Sequence, residues 1–215
     1  MNAKKLSFLL LILVAVACTN RSTSSEQDEM RHWNNVLQQI NALLLENKAR
    51  QTLDLAKQTL PEILESAEKN GTTDTLIYYA RKIFNACGNN YINTKQYKDG
   101  IDYMDSIGNH PLIREHCPHE LLSFKAGLNQ LYGNNPEAVR LAEDYLQLPV
   151  CTSANDFIRQ AEIISGVYMY SGNNLPKAIQ ILEKAIDVYR KGGNFPNMLR
   201  IMSRLGIYYH LSGEC

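Results

Sequence analysis

The feature that most constrains the fold is a column of small residues that returns about every forty positions. The steps between its four members are 38, 39 and 41 residues, and the residue three positions after a member is tyrosine in three cases. The pairs are Gly88 with Tyr91, Ala126 with Asn129, Ser165 with Tyr168, and Gly206 with Tyr209. Self-similarity at a near-constant period predicts stacked copies of one supersecondary unit.

A second column lies between successive members of the first. It consists of a small residue, an apolar residue four positions later, and another three positions after that. The sets are Ala49, Leu53 and Ala56; Gly100, Met104 and Ile107; Ala138, Ala142 and Tyr145; and Ala178, Leu182 and Ala185. These spacings place the side chains on one face of an α-helix, where small residues let two helices approach closely. The two columns therefore predict pairs of packed helices.

Clusters of glycine, asparagine and proline separate the apolar segments, and the sustained alternation typical of strands is missing. We therefore predict an all-α solenoid of about four helical hairpins and an unpaired C-terminal helix. The predicted helices are residues 27–46, 48–69, 73–94, 96–107, 118–132, 136–147, 154–171, 176–191 and 196–212. Pro61 lies inside the second of these and is expected to kink or divide it.

Together the two columns resemble the tetratricopeptide repeat (TPR). Residues 205–209, LGIYY, match the Leu-Gly-x-x-Tyr core of that family's first helix, and residues 178–185 match the Ala-x-x-x-Phe-x-x-Ala core of its second helix. A period near forty exceeds the 34 residues of a regular array, which implies longer helices or connections. The resemblance implies a scaffold that binds other polypeptides and is not an enzyme.

In this family the first helices line a concave surface that receives a peptide. Carried over position by position, the resemblance implies a ligand-binding face at Asn85, Asn89, Ser123, Gln130, Glu162, Met169, Ser203 and His210. Such a face is polar and nearly uncharged, and it would suit hydrogen bonding to a peptide backbone or to sugar more than capture of a charged tail. A glycan-binding or glycan-uptake lipoprotein, a class that also uses TPR-like helices, is the alternative function.

The N-terminus has the pattern of a bacterial export signal. Lys4 and Lys5 precede an apolar run over residues 6–17, which is too short to span a bilayer comfortably. Small residues directly before Cys18 predict that this cysteine is lipidated, with ordinary secretion or an uncleaved anchor as alternatives. We predict a signal peptide at 1–17, a lipidated flexible tether at 18–28 and a repeat domain at 29–215. The expected location is a Gram-negative membrane, facing the periplasm or the cell surface.

The last predicted helix ends where the second helix of a repeat would begin. Either the repeat domain is truncated and the chain is the N-terminal part of a longer protein, which is the interpretation we adopt, or a partner or a second copy covers the open end. The chain resembles the exported N-terminal repeat region of bacterial TPR-containing sensor and regulator proteins. Those proteins continue into a transmembrane helix and a cytoplasmic kinase or DNA-binding regulator, so the resemblance implies the sensory part of a signalling receptor.

Sequence motifs for catalysis are missing: there is no phosphate-binding glycine loop, nucleophile elbow or His-Glu-x-x-His. The densest group of ligand-type residues, at 115–120, surrounds a proline and is interpreted as a polar helix start rather than a metal site. Removing residues 1–17 takes away two of the 22 basic residues and none of the 22 acidic ones, so the mature chain has a net charge of −2. This charge gives no indication of a nucleic-acid partner. We expect a protein or peptide partner, a membrane reached through the lipid, no metal and no cofactor.

Overall fold

The computed structural model describes residues 27–149, 154–192 and 195–213. Within these ranges the chain forms ten α-helices and no strand, so the expected all-α fold is confirmed. None of the described helices combines the length and the apolar composition needed to cross a bilayer. Cys18, the predicted signal peptide and most of the predicted tether lie outside the described residues, and what was expected of them stays a prediction.

Nine of the ten helices are those predicted, with ends that differ by at most one residue. They are α1, residues 27–45; α2, Ala49–Asn70; α3, Asp74–Asn93; α4, Tyr97–Gly108; α5, Pro111–His116; α6, Pro118–Tyr132; α7, Asn135–Gln147; α8, Ala154–Tyr170; α9, Leu175–Gly192; and α10, Phe195–Ser212. The short helix α5 is missed by the sequence pattern because six residues are too few to show an apolar period. Its backbone begins with a proline, and His110 Nδ1 accepts a hydrogen bond from the Leu112 N–H at 3.2 Å.

Pro61 does not divide α2, which corrects one of the two outcomes expected for it. The helix is continuous through Pro61, whose side chain is exposed. Proline removes one backbone hydrogen bond from the interior of a helix. Leu60 and Ile63, on either side of it, are fully buried and hold both halves of α2 against the core.

Successive first helices run parallel to one another. A Cβ built on Gly127 in α6 would meet Ile163 in α8, and one built on Gly166 in α8 lies 3.8 Å from Gln130 in α6. Both pairs are 36 residues apart in sequence, so the two helices have the same direction. Helices α3, α6, α8 and α10 form one layer in this way, while α2, α4, α7 and α9 form the other and each packs against the first helix that follows it.

The two columns form the core between these layers. The predicted core residues that are buried are Gly88, Tyr91, Ala126, Ala138, Ser165, Tyr168, Ala178, Leu182 and Ala185. Packing is closest at Gly88, where a Cβ would lie 2.4–2.6 Å from three ring atoms of Phe124. Trp33 of α1 joins the same core, and its ring centroid lies 5.7 Å from that of Tyr79 in α3.

The last copy of the first column departs from this pattern. Gly206 is exposed, and a Cβ built on it would meet nothing within 4 Å. The prediction that Gly206 is a core residue is wrong, because no described helix packs against that side of α10. Tyr209 is only partly buried, and its hydroxyl donates a hydrogen bond to Glu183 Oε1 at 2.5 Å.

Candidate functional site

The parallel first helices α3, α6, α8 and α10 share a surface on the side away from the second helices, which we call the inner face. Residues at a fixed distance from the small column recur on every first helix, so their side chains form rows across this face. The predicted ligand-binding residues occupy three such rows, which lie three residues before the small column and one and four residues after it.

Six of the eight predicted ligand-binding residues are accessible. Asn85, Asn89, Gln130 and Met169 are partly exposed, and Ser203 and His210 are exposed. They belong to four different helices, and the rows bring them onto one surface rather than into one pocket. A ligand that contacted most of them would have to extend across several repeats.

Ser123 and Glu162 are buried, which corrects their prediction as ligand-contacting residues. The short Ser123 side chain is covered by packed helices, and its hydroxyl donates to the backbone carbonyl of Glu120 at 3.1 Å. Glu162 is drawn against α10, where Arg200 Nε lies 2.7 Å from its Oε1 atom. Ser123 therefore bonds within its own helix and Glu162 joins α8 to α10, and neither side chain faces solvent.

Three arginines form a charged group on the inner face, which we call the arginine cluster: Arg159, Arg200 and Arg204. Besides the contact of Arg200 with the Glu162 carboxylate, Arg204 Nη1 donates to the Glu162 backbone carbonyl at 3.0 Å. Arg159 of α8 reaches past α6 and donates through Nε to Asn89 Oδ1 of α3 at 2.8 Å. The expectation of a nearly uncharged face is therefore wrong.

The members of the arginine cluster are close enough to influence one another. Burial lowers the pKa of the Arg159 guanidinium, Glu162 acts in the opposite direction, and Arg200 and Arg204 lower it further. An arginine side chain stays charged in proteins despite such shifts. The lowered pKa of Arg159 thus reflects its partial burial and its proximity to the positive charges of Arg200 and Arg204.

A fourth arginine on the inner face, Arg81, is matched by a carboxylate. Arg81 Nε of α3 lies 3.2 Å from Glu120 Oε1 of α6, and Arg81 Nη2 also donates to the His116 backbone carbonyl. Glu120 is buried. This pair joins two neighbouring first helices in the same way that Glu162 and Arg200 join the next two, and it leaves no excess charge.

Large apolar side chains are exposed along the C-terminal ends of the first helices. Leu131, Tyr170 and Leu211 each lie five residues after the small column of their own helix, and we call them the apolar row. Their exposed fractions are 40%, 71% and 55%. Because the first helices are parallel, the apolar row lies at one end of the inner face and the arginine cluster lies toward the other.

Residues 115–120 do not converge on a common point. Cys117 is buried, Glu120 pairs with an arginine of α3, and His119 Nε2 lies 2.7 Å from the carbonyl oxygen of Pro149. Pro118 is the first residue of α6, as expected of a polar helix start. Across the described part of the chain, no three histidine, cysteine or acidic side chains come together as a metal site.

A small cavity lies beside His119, where α6 and α7 meet α8 and α9. Its volume is about 70 Å³, and its walls include the rings of Tyr145 and Phe157. Pockets that enclose a drug-sized ligand measure several hundred Å³, in the range of about 300–1,000 Å³. This cavity can therefore hold no more than a small group.

The sequence contains an indication of the arginine cluster at positions other than those of the predicted ligand-binding residues. Lys82, Glu120, Arg159 and Arg200 all lie six residues before the small column, and three of these four side chains are basic. This row lies about one helical turn before the first of the three rows that contain the predicted ligand-binding residues. Its composition predicts positive charge on the inner face.

Comparison with known proteins supports the fold. No family model and no curated protein matches the sequence. A solved protein from Podosopora anserina, described as a kinesin light chain with nearly identical TPR-like repeats, superposes with a TM-score of 0.53 at 12% identity over 86% of this chain and 89% of that chain. A single-substitution variant of it gives a TM-score of 0.54 at 12% identity over 86% and 88%. The chain is thus an all-α, TPR-like helical solenoid.

Proposed function

We propose that this protein is a non-catalytic scaffold whose inner face binds an extended segment of another polypeptide. A TPR-like fold suggests a protein-interaction role. The observation that carries the proposal is the composition of the inner face, where accessible amides lie on the same surface as the exposed apolar row.

A polypeptide offers the chemistry that this face can match. The amides of Asn85 and Gln130 can each donate to a peptide carbonyl and accept from a peptide N–H. Tyr170, the most exposed member of the apolar row, can cover an apolar side chain of the ligand. Because these groups are spread over several helices, an extended ligand fits them better than a compact one.

Photo-crosslinking tests which face is used. A photoreactive phenylalanine analogue replaces Gln130 on the inner face or, as the matched control, Gln180, which is exposed on the second helix α9. In the native cell we expect a polypeptide adduct from position 130 and none from position 180. Adducts only from position 180 would contradict the proposal. Retention of the protein on a glycan affinity column, without any polypeptide adduct, would favour the glycan-binding lipoprotein.

We further propose that the scaffold is exported, is anchored through a lipid on Cys18, and serves as the sensory part of a signalling receptor. The support is the N-terminal pattern of two lysines, an apolar run and small residues before the cysteine. Cys18→Ser should abolish labelling by an alkyne-bearing fatty acid and release the protein from membranes, whereas Cys215→Ser should do neither. An immunoblot of the same membranes reports the size, and a species much longer than 215 residues would support the receptor.

A further inference from the structure

The arginine cluster has more positive charge than its surroundings neutralise. Among the described side chains, Glu162 is the one carboxylate within ion-pairing distance of the cluster, and it contacts Arg200. In the described ranges, Arg204 donates to a backbone carbonyl and Arg159 donates to an amide oxygen, and both of these acceptors are neutral. Within the described part of the chain, three guanidinium groups against this one carboxylate leave the arginine cluster with a formal excess of two positive charges.

An arginine on the outer layer shows how the chain neutralises this side chain elsewhere. Arg140 of α7 lies 2.7 Å from Glu137 Oε1 and 2.6 Å from Asp144 Oδ2, so a single guanidinium has two carboxylates. The arginine cluster has the reverse ratio although it is less exposed. The arginine cluster, which lies on the proposed binding face, thus has fewer carboxylates for each guanidinium than Arg140 has.

Unused hydrogen-bond donors accompany the excess charge. A guanidinium has five N–H donors arranged to bind a carboxylate through two parallel hydrogen bonds. Among the described residues, Arg159 uses one donor on the Asn89 amide oxygen, and Arg204 uses one on the Glu162 backbone carbonyl. Both side chains are partly exposed, so a ligand can reach their guanidinium groups from solvent.

We propose that Arg159 and Arg204 bind carboxylates in an acidic segment of the polypeptide ligand, an inference that rests on the proposed function. Charge complementarity selects the acidic ligand, since the excess of two positive charges is matched by two carboxylates. The segment also contacts Tyr170. Eleven residues separate Arg159 from Tyr170 along α8, which is about 16 Å at the rise of an α-helix. An extended peptide covers that distance with about five residues. The ligand therefore has its acidic residues about five positions away from an apolar residue.

Selection from a random peptide library displayed on phage, with the purified full-length chain as bait, tests this proposal. We expect the selected peptides to be enriched in aspartate and glutamate, with an apolar residue about five positions away. The double variant Arg159→Gln/Arg204→Gln should bind these peptides at least about tenfold more weakly than the wild type. Arg159→Lys/Arg204→Lys, which keeps the charge, should retain part of the affinity, and the control Arg140→Gln should retain all of it.

The outcomes separate this inference from the proposed function. Selected peptides without acidic residues, or acidic peptides that the glutamine double variant binds as tightly as the wild type, would overturn the inference and leave the scaffold proposal standing. Selection of no peptide by the wild type would overturn both. Far-UV circular dichroism checks that each variant is folded, and if the glutamine variant is not, the wild-type selection and the lysine variant decide.

Discussion

Replacing Gly88 with alanine is expected to lower the free energy of unfolding by about 1 to 3 kcal/mol. The new Cβ would lie 2.4–2.6 Å from three atoms of the Phe124 ring, closer than carbon atoms can pack. That ring cannot move freely, because it is buried and lies edge-on to Phe84 with the ring centroids 6.2 Å apart. The gain in helix propensity from glycine to alanine, about 1 kcal/mol at most, does not offset the overlap. Urea unfolding followed by circular dichroism measures the change.

Gly206 provides the matched control, since it occupies the same column on another first helix. A Cβ there meets nothing within 4 Å, so Gly206→Ala should raise the free energy of unfolding by about 0.5 to 1 kcal/mol through helix propensity alone. Combining Gly88→Ala with Phe124→Leu should recover part of the loss, because leucine leaves more room for the new methyl group. Stabilisation by both alanine variants would show that α3 and α6 are not in close contact at Gly88.

The sequence predicts nine of the ten described helices, because each of the nine is long enough to show the apolar period. The ends agree to within one residue wherever a turn cluster separates two periodic segments. Local rules fail at Pro61, where proline predicts an interruption that packing of Leu60 and Ile63 overrides. They also fail at Gly206, whose place in the column is regular while its surroundings are not. Both errors come from treating a residue's type as sufficient when its neighbours in space decide the outcome.

The binding face is predicted less well, for a different physical reason. The position of a residue on a helix indicates the direction in which its side chain leaves the backbone. The length of the side chain determines where its polar atoms lie. Ser123 is too short to reach past its neighbours, whereas Arg159 extends to Asn89 on a helix 70 residues earlier in the chain. Contacts of this kind depend on the distance between repeats, which the period alone does not give.

Glu162 links the stability of the solenoid to the charge of its inner face. The carboxylate side chain is 6% exposed and joins α8 to α10 through Arg200, whose side chain is 53% exposed. Without it, no other described carboxylate would lie within ion-pairing distance of Arg159, Arg200 and Arg204. The same residue that holds the last two first helices together therefore also limits the positive charge offered to a ligand.

Glu162→Gln is accordingly expected to lower the free energy of unfolding by about 1 to 3 kcal/mol. Removing one partner of a fully buried ion pair costs about 3 to 5 kcal/mol, and the solvent exposure of Arg200 reduces that figure. Glutamine preserves the size of the side chain, so the loss reports charge rather than packing. Urea unfolding measures it, and the loss should grow at low salt, where repulsion among the arginines is less screened.

A double-mutant cycle assigns the loss to the contact itself. Arg200→Gln alone should cost less than Glu162→Gln, because it removes one of three positive charges and leaves the Glu162 carboxylate to interact with Arg159. In the double variant the two losses should not add, and the difference gives the coupling between the residues. The pair Asp187 and Arg190 on α9 is the control: its side chains are both 69% exposed, so Asp187→Asn should change stability little. Strict additivity at Glu162 and Arg200 would mean that the carboxylate is held by the backbone and α8 alone, and that α10 docks without it.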